Sequence, residues 1–443
     1  MPTAAKLEAV RRLLGAAPDA TLRTLGVALS SAYDLGDVRE LIEREQRVRN
    51  LYSAIFAPLL PLCTPRQYAI AGVRLSAEAL RQVFRALRAR HADEIERAAD
   101  ALERWEPMFD PPPVEFDELC VAGARLIEQG AVAGVEGEEG RELAIFLRLS
   151  PMARQAVARL TDWIGKPNEE RTAVLRLIFR DAVAVTEDAA PRLIEVMLAS
   201  LAEPWQILRP ISLLTERAGD RYLAASEMGA FGERLLEAVE VRLDALRTFD
   251  LRGGAPAARV AAQGVAEANA ILSEFEQSIG LSRDGPWGKR IAAARTAMAT
   301  LIESRLREAE RAVELALPMQ AVRITGRMTR PAPKVAAPPD PRLVEPARAL
   351  LVLLGETRQA AATGGFGALR TQVAETLCDR LEVYADELIH LLNSGEAPDA
   401  DIARTYLELA AEFLEVTEND KAAQIVRRRA AVAGSGAPSQ DVA

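Results

Sequence analysis

The longest uninterrupted helical pattern in the chain runs from Gly285 to Pro318, and it constrains the fold more than any other stretch. Pro286 suits the first turn of a helix, and Pro318 closes the far end. The apolar residues recur at steps of three and four and then slip by one, as a straight helix of 3.6 residues per turn requires; they are Trp287, Ile291, Ala294, Met298, Leu301, Ile302, Leu306, Ala309, Val313 and Ala316. A helix of this length must bury its stripe against other helices, so the pattern predicts a long central helix.

The composition extends this prediction to the whole chain. Hydrophobic residues make up 49% of the 443 residues, yet aromatic residues make up only 5%. The apolar mass is therefore Ala, Leu and Val, a mixture that packs helix on helix. Alternating runs rich in Val, Ile, Thr and aromatics, which indicate strands, are nearly absent. We expect an all-α protein, either a multi-helix bundle or a solenoid-like array, with no sheet.

Proline, glycine and charge patterns divide the chain into five parts. PMFDPPPV at 107–114 excludes a helix, and the Gly/Glu run that ends at Gly140 reads as an exposed acidic loop. Residues 319–342 hold five prolines between Pro331 and Pro341 and predict an extended linker. The predicted parts are an N-terminal helical hairpin region at 1–140, a helical body at 141–318, the linker at 319–342, a smaller C-terminal helical domain at 343–433 and a disordered tail at 434–443.

Several polar residues stand where helix starts are expected. Ser76 precedes a pattern that predicts one long helix over about 77–105. Asn168 precedes two glutamates, which the helix dipole favours in a first turn. Pro398-Asp399 and Asp420 are expected to open the two helices of a closing hairpin.

Charge, cysteine content and hydropathy limit the setting in which the chain works. The formal net charge of −9 argues against a protein that chiefly coats nucleic acid or anionic lipid. The most apolar window, 51–63, is interrupted by Pro58 and Pro61 and is too short for a membrane span. The N-terminus lacks the apolar core of a signal peptide. The three cysteines are distant in sequence and form no CxxC pair, so we expect reduced thiols in a cytoplasmic protein.

Histidine is almost absent, which limits the metal sites that can be predicted. His390 follows Glu387 in a Glu-x-x-His step, the half-motif that di-iron four-helix bundles use twice. The other histidine, His91, has Arg88 in the matching place, so the second half is missing. We predict no metal site and no cofactor.

Two glycine-containing motifs share some features with phosphate-binding loops. GPWGK at 285–289 mimics the end of a Walker loop, but Arg290 stands where the Mg²⁺-binding Ser or Thr belongs and no strand precedes it. TGGFG at 363–367 is preceded by helical sequence and reads as a plain interhelical loop. We therefore predict no catalytic residue at either place.

The closing hairpin resembles one tetratricopeptide repeat in the spacing of its large and small residues, Tyr406, Leu409, Ala410, Phe413, Ala422 and Val426. It departs from that family at Thr417, where a turn glycine is expected, and at Arg429, where a small residue is expected. No copy lies 34 residues upstream. We assign no family from this resemblance.

The basic residues of the linker are the best candidates for a binding site: Arg323, Arg327, Arg330 and Lys334. They lie in a chain that is otherwise acidic. The segment could dock on an acidic partner, on RNA or on its own surface, or it could act as a hinge without a ligand.

The leading functional hypothesis is a non-enzymatic scaffold or adaptor that binds a protein partner. The sequence combines long amphipathic helices with a predicted flexible linker, and we recognise no set of catalytic residues in it. The alternatives are an all-α enzyme or small-ligand-binding protein with a pocket between helices, and nucleic-acid contact through the linker, which the net charge disfavours. Self-association through an exposed helix stripe also stays open.

Overall fold

The computed structural model describes residues 4–29, 36–64, 70, 72–215, 219–325, 328–417 and 419–433. Contacts within the chain divide it into two compact units, Met1–Glu216 and Arg217–Ala443. Helices dominate the described part of both units, which confirms the predicted all-α, multi-helix fold. In these described ranges no helix is both long and apolar enough to cross a membrane.

Unit 1 consists of helices joined by short turns. Its helices are α1 (Ala4–Ala16), α2 (Asp19–Leu29), α3 (Gly36–Ile55), α4 (Leu60–Cys63), α5 (Ala77–Arg90), α6 (Ala92–Arg104), α7 (Val114–Glu128), α8 (Gly137–Ala158), α9 (Leu160–Ile164), α10 (Glu169–Val183), α11 (Ala189–Ser200) and α12 (Leu208–Leu214), with a 3-10 turn at Pro204–Ile207. The core lies where α8 packs against α7, α10 and α11, and where α5 packs against α7.

Unit 2 combines helices with one hairpin. Its elements are α13 (Asp220–Ala224), α14 (Gly229–Arg247), α15 (Gly254–Ser278), α16 (Pro286–Ala316), β1 (Met319–Thr325), β2 (Met328–Pro333), α17 (Pro341–Glu356), α18 (Arg358–Gly364), α19 (Gly367–Ser394), α20 (Ala400–Val416) and α21 (Asp420–Val432), with a 3-10 turn at Leu251–Gly253. Helices α14, α15, α16 and α17 pack on one another, and α19, α20 and α21 form a second set beside them.

The predicted central helix is α16. Eight of the ten predicted stripe residues are buried, whereas Ala294 and Leu301 at the slip are half-buried. Trp287 is the largest buried side chain of the stripe and packs edge-on against Phe275 at 5.5 Å between ring centroids. The stripe is therefore the contact surface that the 3.6-residue period indicated.

Helix starts follow the predicted capping residues at three places. Ser76, Asn168 and Asp399 each accept a hydrogen bond from a backbone N–H of the first turn. At the last helix the cap is Asn419, whose side chain accepts from the N–H of Ala422, and not Asp420 as predicted. Asp420 occupies the first helical position, where its charge suits the dipole.

The helix predicted over 77–105 is two helices, because the backbone breaks at His91 with φ −128° and ψ 48°. Basic residues stand in the last turn of α5, at Arg88 and Arg90, and acidic residues in the first turn of α6, at Asp93 and Glu94. Each set complements the dipole of its own helix end. This reversal of charge is a local signal for a break that the apolar periodicity alone conceals.

The predicted boundaries at residues 140 and 318 fall inside the two compact units. Gly140, expected to end an exposed loop, is instead a buried residue in the first turn of α8, which packs against α7. Helix α17 packs against α15 and α16 across residue 318. The helices on either side of these proline- and glycine-containing segments bury their apolar faces against each other. Turn-forming residues therefore mark bends within each unit here.

The segment predicted as an extended linker without a sheet instead contains the antiparallel hairpin β1–β2. Prolines exclude a helix, as predicted, but they are compatible with an edge strand. The absence of any sheet was thus a wrong expectation for residues 319–333.

Candidate functional site

The register of the hairpin decides which backbone groups of β1 and β2 face each other. Ala321 lies opposite Pro331, and the two strands run antiparallel. The N–H of Lys334 donates to the carbonyl of Pro318 at 2.8 Å, which identifies this opposed pair as hydrogen-bonded. Antiparallel pairs alternate between hydrogen-bonded and non-hydrogen-bonded positions. The backbone N–H and carbonyl groups of residues 320 and 322 consequently point towards β2.

From Met319 to Arg323 and from Thr329 to Pro333, the odd-numbered residues point their backbone groups away from the partner strand; the register shifts between Arg323 and Thr325. In β2 two of these positions are Pro331 and Pro333, which have no N–H to offer. In β1 they are Met319, Ala321 and Arg323, each with an N–H and a carbonyl. Among the described residues none hydrogen-bonds to these outward groups of β1. Prolines thus block the outer edge of β2, while the outer edge of β1 is open.

The base of the hairpin holds it to the helices of unit 2. Ala332 and Val335 are each 2% exposed, and β2 packs against α19. Further along, Ala321 and Val322 of β1 are exposed. The open edge therefore belongs to a strand that is fixed at one end and accessible along its length.

The four basic residues predicted as a binding site have different surroundings. Arg323 and Lys334 are exposed and form no ion pair with a described residue. Arg330 is half-buried and lies 3.9 Å from the carboxylate of Glu396, which follows α19. Arg327 lies outside the described residues. The hairpin thus brings Arg323, Arg330 and Lys334 onto one small element.

A groove lies beside the start of β1, between the end of α16 and the middle of α19. Its volume is about 570 Å³, within the usual range of ligand and anchor pockets. Glu314 on α16 and Arg380 on α19 form an ion pair across it. The remaining lining residues are Val313, Leu317, Met319, Asp379, Leu381, Val383 and Tyr384. Sequence reasoning missed this groove because one of its walls comes from α19, which is distant in the chain from α16 and β1.

Tyr384 is the unusual residue of this groove. It is only 3% exposed, and its hydroxyl has no hydrogen-bond partner among the described residues. Burial, followed by the nearby Tyr406, raises the pKa of Tyr384 above its ordinary value, so the phenol is neutral and can donate a hydrogen bond. Buried polar groups are nearly always paired, and an unpaired one costs about 1–3 kcal/mol. The hydroxyl oxygen is itself buried, so an occupant of the groove does not reach it.

The Walker-like segment at 285–289 already has an anion at its helix start. Asp220 of α13 is 1% exposed, and its Oδ2 accepts from the N–H of Gly288 at 3.4 Å. A side chain at Gly285 would collide with that carboxylate, since its Cβ would lie 1.7 Å from Oδ2. The carboxylate of Asp220 therefore occupies the place that a phosphate would take at the N-terminus of α16.

The Glu387 and His390 half-motif lies on α19. His390 is exposed, whereas the Oε2 atom of Glu387 is buried and has no hydrogen-bond partner in the described part of the chain. No group of three His, Cys, Asp or Glu residues is placed to hold a metal ion in the part of the chain that the structure describes. TGGFG forms the turn between α18 and α19, where Gly365 has φ +81°, a left-handed conformation that suits glycine.

A comparison of the chain with protein-family models, curated proteins and solved structures finds no match. The helical hairpin that resembles a tetratricopeptide repeat consists of α20 and α21, and the six residues that carry the resemblance are all buried. Their spacing is accounted for by the packing of two helices.

Proposed function

We propose that this protein is a non-enzymatic scaffold or adaptor that binds an extended segment of a partner protein along β1. The observation that carries the proposal is the open outer edge of β1, with the N–H and carbonyl groups of Met319, Ala321 and Arg323 unpaired by the described residues. Adding a strand to an exposed edge is a common mode of peptide recognition, in which backbone hydrogen bonds supply affinity.

The contrast between the two edges supports this function. Sheet edges are commonly blunted by prolines, charges or covering elements, because an open edge pairs with other chains. β2 has Pro331 and Pro333 at outward positions and packs on α19. β1 lacks proline, and its middle is exposed. The hairpin therefore restricts pairing to one side.

Charge indicates the kind of partner. Arg323 and Lys334 are exposed on the hairpin, and Arg330 is beside them on β2. The whole chain carries a formal net charge of −9, so this element is a local exception. A partner segment rich in Asp and Glu matches it and associates faster at low salt. Pairing of β1 between two copies would instead bring like charges together, which disfavours self-association.

The proposal places the protein in the cytoplasm. All three cysteines are free thiols, at Cys63, Cys120 and Cys378, which supports a reducing compartment.

The test is affinity capture from a lysate of the source cells with the full chain and the variant Ala321→Pro. Proline removes the outward N–H of residue 321 but none of the hydrogen bonds to β2. A matched control is Val260→Glu, which changes a 72% exposed valine on α15. We expect the same proteins to be recovered with the wild type and the control, and to be lost with Ala321→Pro.

Recovery that is equal with all three chains would contradict the proposal. Light scattering of the purified chain adds a second check, because a dimer that Ala321→Pro dissociates would make β1 a self-association strand and would also contradict it. Release of nucleic acid from the captured material, with no protein specific to the wild type, would favour the nucleic-acid alternative.

A further inference from the structure

We infer that the groove beside β1 seats a large apolar side chain of the same partner segment, whose acidic residues lie against the hairpin. This inference rests on the proposed function and assigns it the partner's chemistry. The segment is an extended peptide with Asp or Glu residues at one end and an aromatic or large aliphatic residue at the other.

Met319 connects the two parts of this site. It is the first residue of β1, and its backbone N–H and carbonyl belong to the open edge. Its side chain lines the groove and is 42% exposed. A strand that pairs with β1 therefore reaches the groove without leaving the surface of unit 2. Alternate side chains of such a strand point to one face, so one of them can enter a pocket while the backbone is paired.

The lining of the groove indicates an apolar occupant. Val313, Leu317 and Leu381 line it but are buried, and its exposed apolar residues are Met319, at 42%, and Val383, at 59%. A volume of about 570 Å³ is ample for one aromatic side chain. Buried aromatic anchors in well-packed pockets supply most of the binding energy at many protein interfaces.

Charges fix the polarity of the segment. At the groove end, Glu314 and Asp379 are balanced by Arg380 and by Lys334, which lies opposite Pro318. At the other end of β1, Arg323 lies near Arg330, whose described acidic neighbour is Glu396. Acidic residues of the segment are therefore attracted towards Arg323, which places the apolar residue at Met319.

The experiment selects displayed random 12-residue peptides on the immobilised full chain and measures the affinity of the enriched peptides by fluorescence anisotropy. We expect enriched peptides to combine several acidic residues with one large apolar residue. Val383→Glu in the groove and Ala321→Pro in β1 should each weaken binding by at least tenfold. Val241→Glu changes a 67% exposed valine on α14 and should leave the affinity unchanged.

The outcomes distinguish the two proposals. Peptides that lose affinity with Ala321→Pro but bind Val383→Glu normally would overturn the groove inference and leave the proposed function standing. A selection that yields no peptide sensitive to Ala321→Pro would contradict the proposed function, and the groove inference with it.

Discussion

The guanidinium of Arg154 on α8 lies 2.9 Å from the carboxylate of Asp117 on α7 and also donates to two carbonyls at the end of α3. Those bonds, to Ala54 and Ile55, measure 2.8 and 2.6 Å. The last carbonyls of a helix lack partners within the helix, so Arg154 supplies them from a neighbouring element. One buried side chain thereby joins three helices of unit 1.

Arg154→Met should therefore destabilise unit 1 by about 3 kcal/mol, because the Asp117 carboxylate and the carbonyl of Ala54 lose this partner and the carbonyl of Ile55 keeps only the thiol of Cys120 as a donor. Chemical denaturation measures the loss. Arg12→Met, at an arginine side chain that is 80% exposed, is the matched control and should change stability by less than about 0.5 kcal/mol. Equal stability of the two variants would contradict the role given to Arg154.

Gly232 on α14 permits the close approach of Trp287 on α16. A Cβ at this position would lie 2.4 Å from Cζ2 of the buried indole. Gly232→Ala should therefore cost about 1–3 kcal/mol, since the indole cannot move without disturbing the core. Gly264→Ala in α15 is the control: its Cβ would meet its nearest neighbour at 3.9 Å, so the change should stabilise the helix by about 0.5–1 kcal/mol. Thermal unfolding should show a lower melting temperature for Gly232→Ala and a higher one for Gly264→Ala.

Thiol reactivity should separate the cysteines by pH. Burial raises the pKa of both Cys63 and Cys120 to about 11, from an ordinary 9.0. The thiolate is the reactive form, so alkylation of the half-buried Cys63 should be slow at pH 8 and rise about tenfold per pH unit up to about pH 11. Cys120 is fully buried and should react only after denaturant is added. Mass spectrometry of iodoacetamide-labelled peptides reads each site, and rapid labelling of native Cys120 at pH 8 would contradict the packing of α7.

Charge reversal on the hairpin should weaken partner binding in a salt-dependent way. Arg323→Glu combined with Lys334→Glu should lower the affinity for an acidic segment about tenfold at low salt, and the difference should shrink in 0.5 M salt because of screening. Arg252→Glu with Lys289→Glu exchanges the same residue types at other exposed positions of unit 2. Biolayer interferometry at two salt concentrations compares the affinities of the two double variants. An equal loss of affinity in both would show an effect of net charge alone and contradict a specific role of the hairpin.

The helices were predictable where local chemistry decides them. The stripe of α16 follows from its period, and Ser76 and Asn168 cap helices because their side chains satisfy free N–H groups. The hairpin was missed because prolines were weighed only as helix breakers. Its signal was present in the sequence: two short runs flank Thr325 and Gly326, and Pro331 and Pro333 are two residues apart, as the outward positions of one edge strand are.

The groove could not be predicted in the same way. Tyr384 lies on α19, and Val313 and Met319 are more than sixty residues earlier in the chain. Only packing of α19 beside the end of α16 brings them together. No local pattern carries that information, because a Tyr at helical spacing fits an ordinary core position equally well.

Amide hydrogen exchange of β1, resolved by residue, tests the central claim most directly. In the free protein, the N–H groups of Ala321 and Arg323 should exchange rapidly, whereas that of Val322, which faces β2, should be protected. Addition of a selected acidic peptide should slow exchange at Ala321 and Arg323 by at least tenfold and leave Val322 nearly unchanged. A peptide that binds with no added protection at Ala321 and Arg323 would contradict strand pairing along β1.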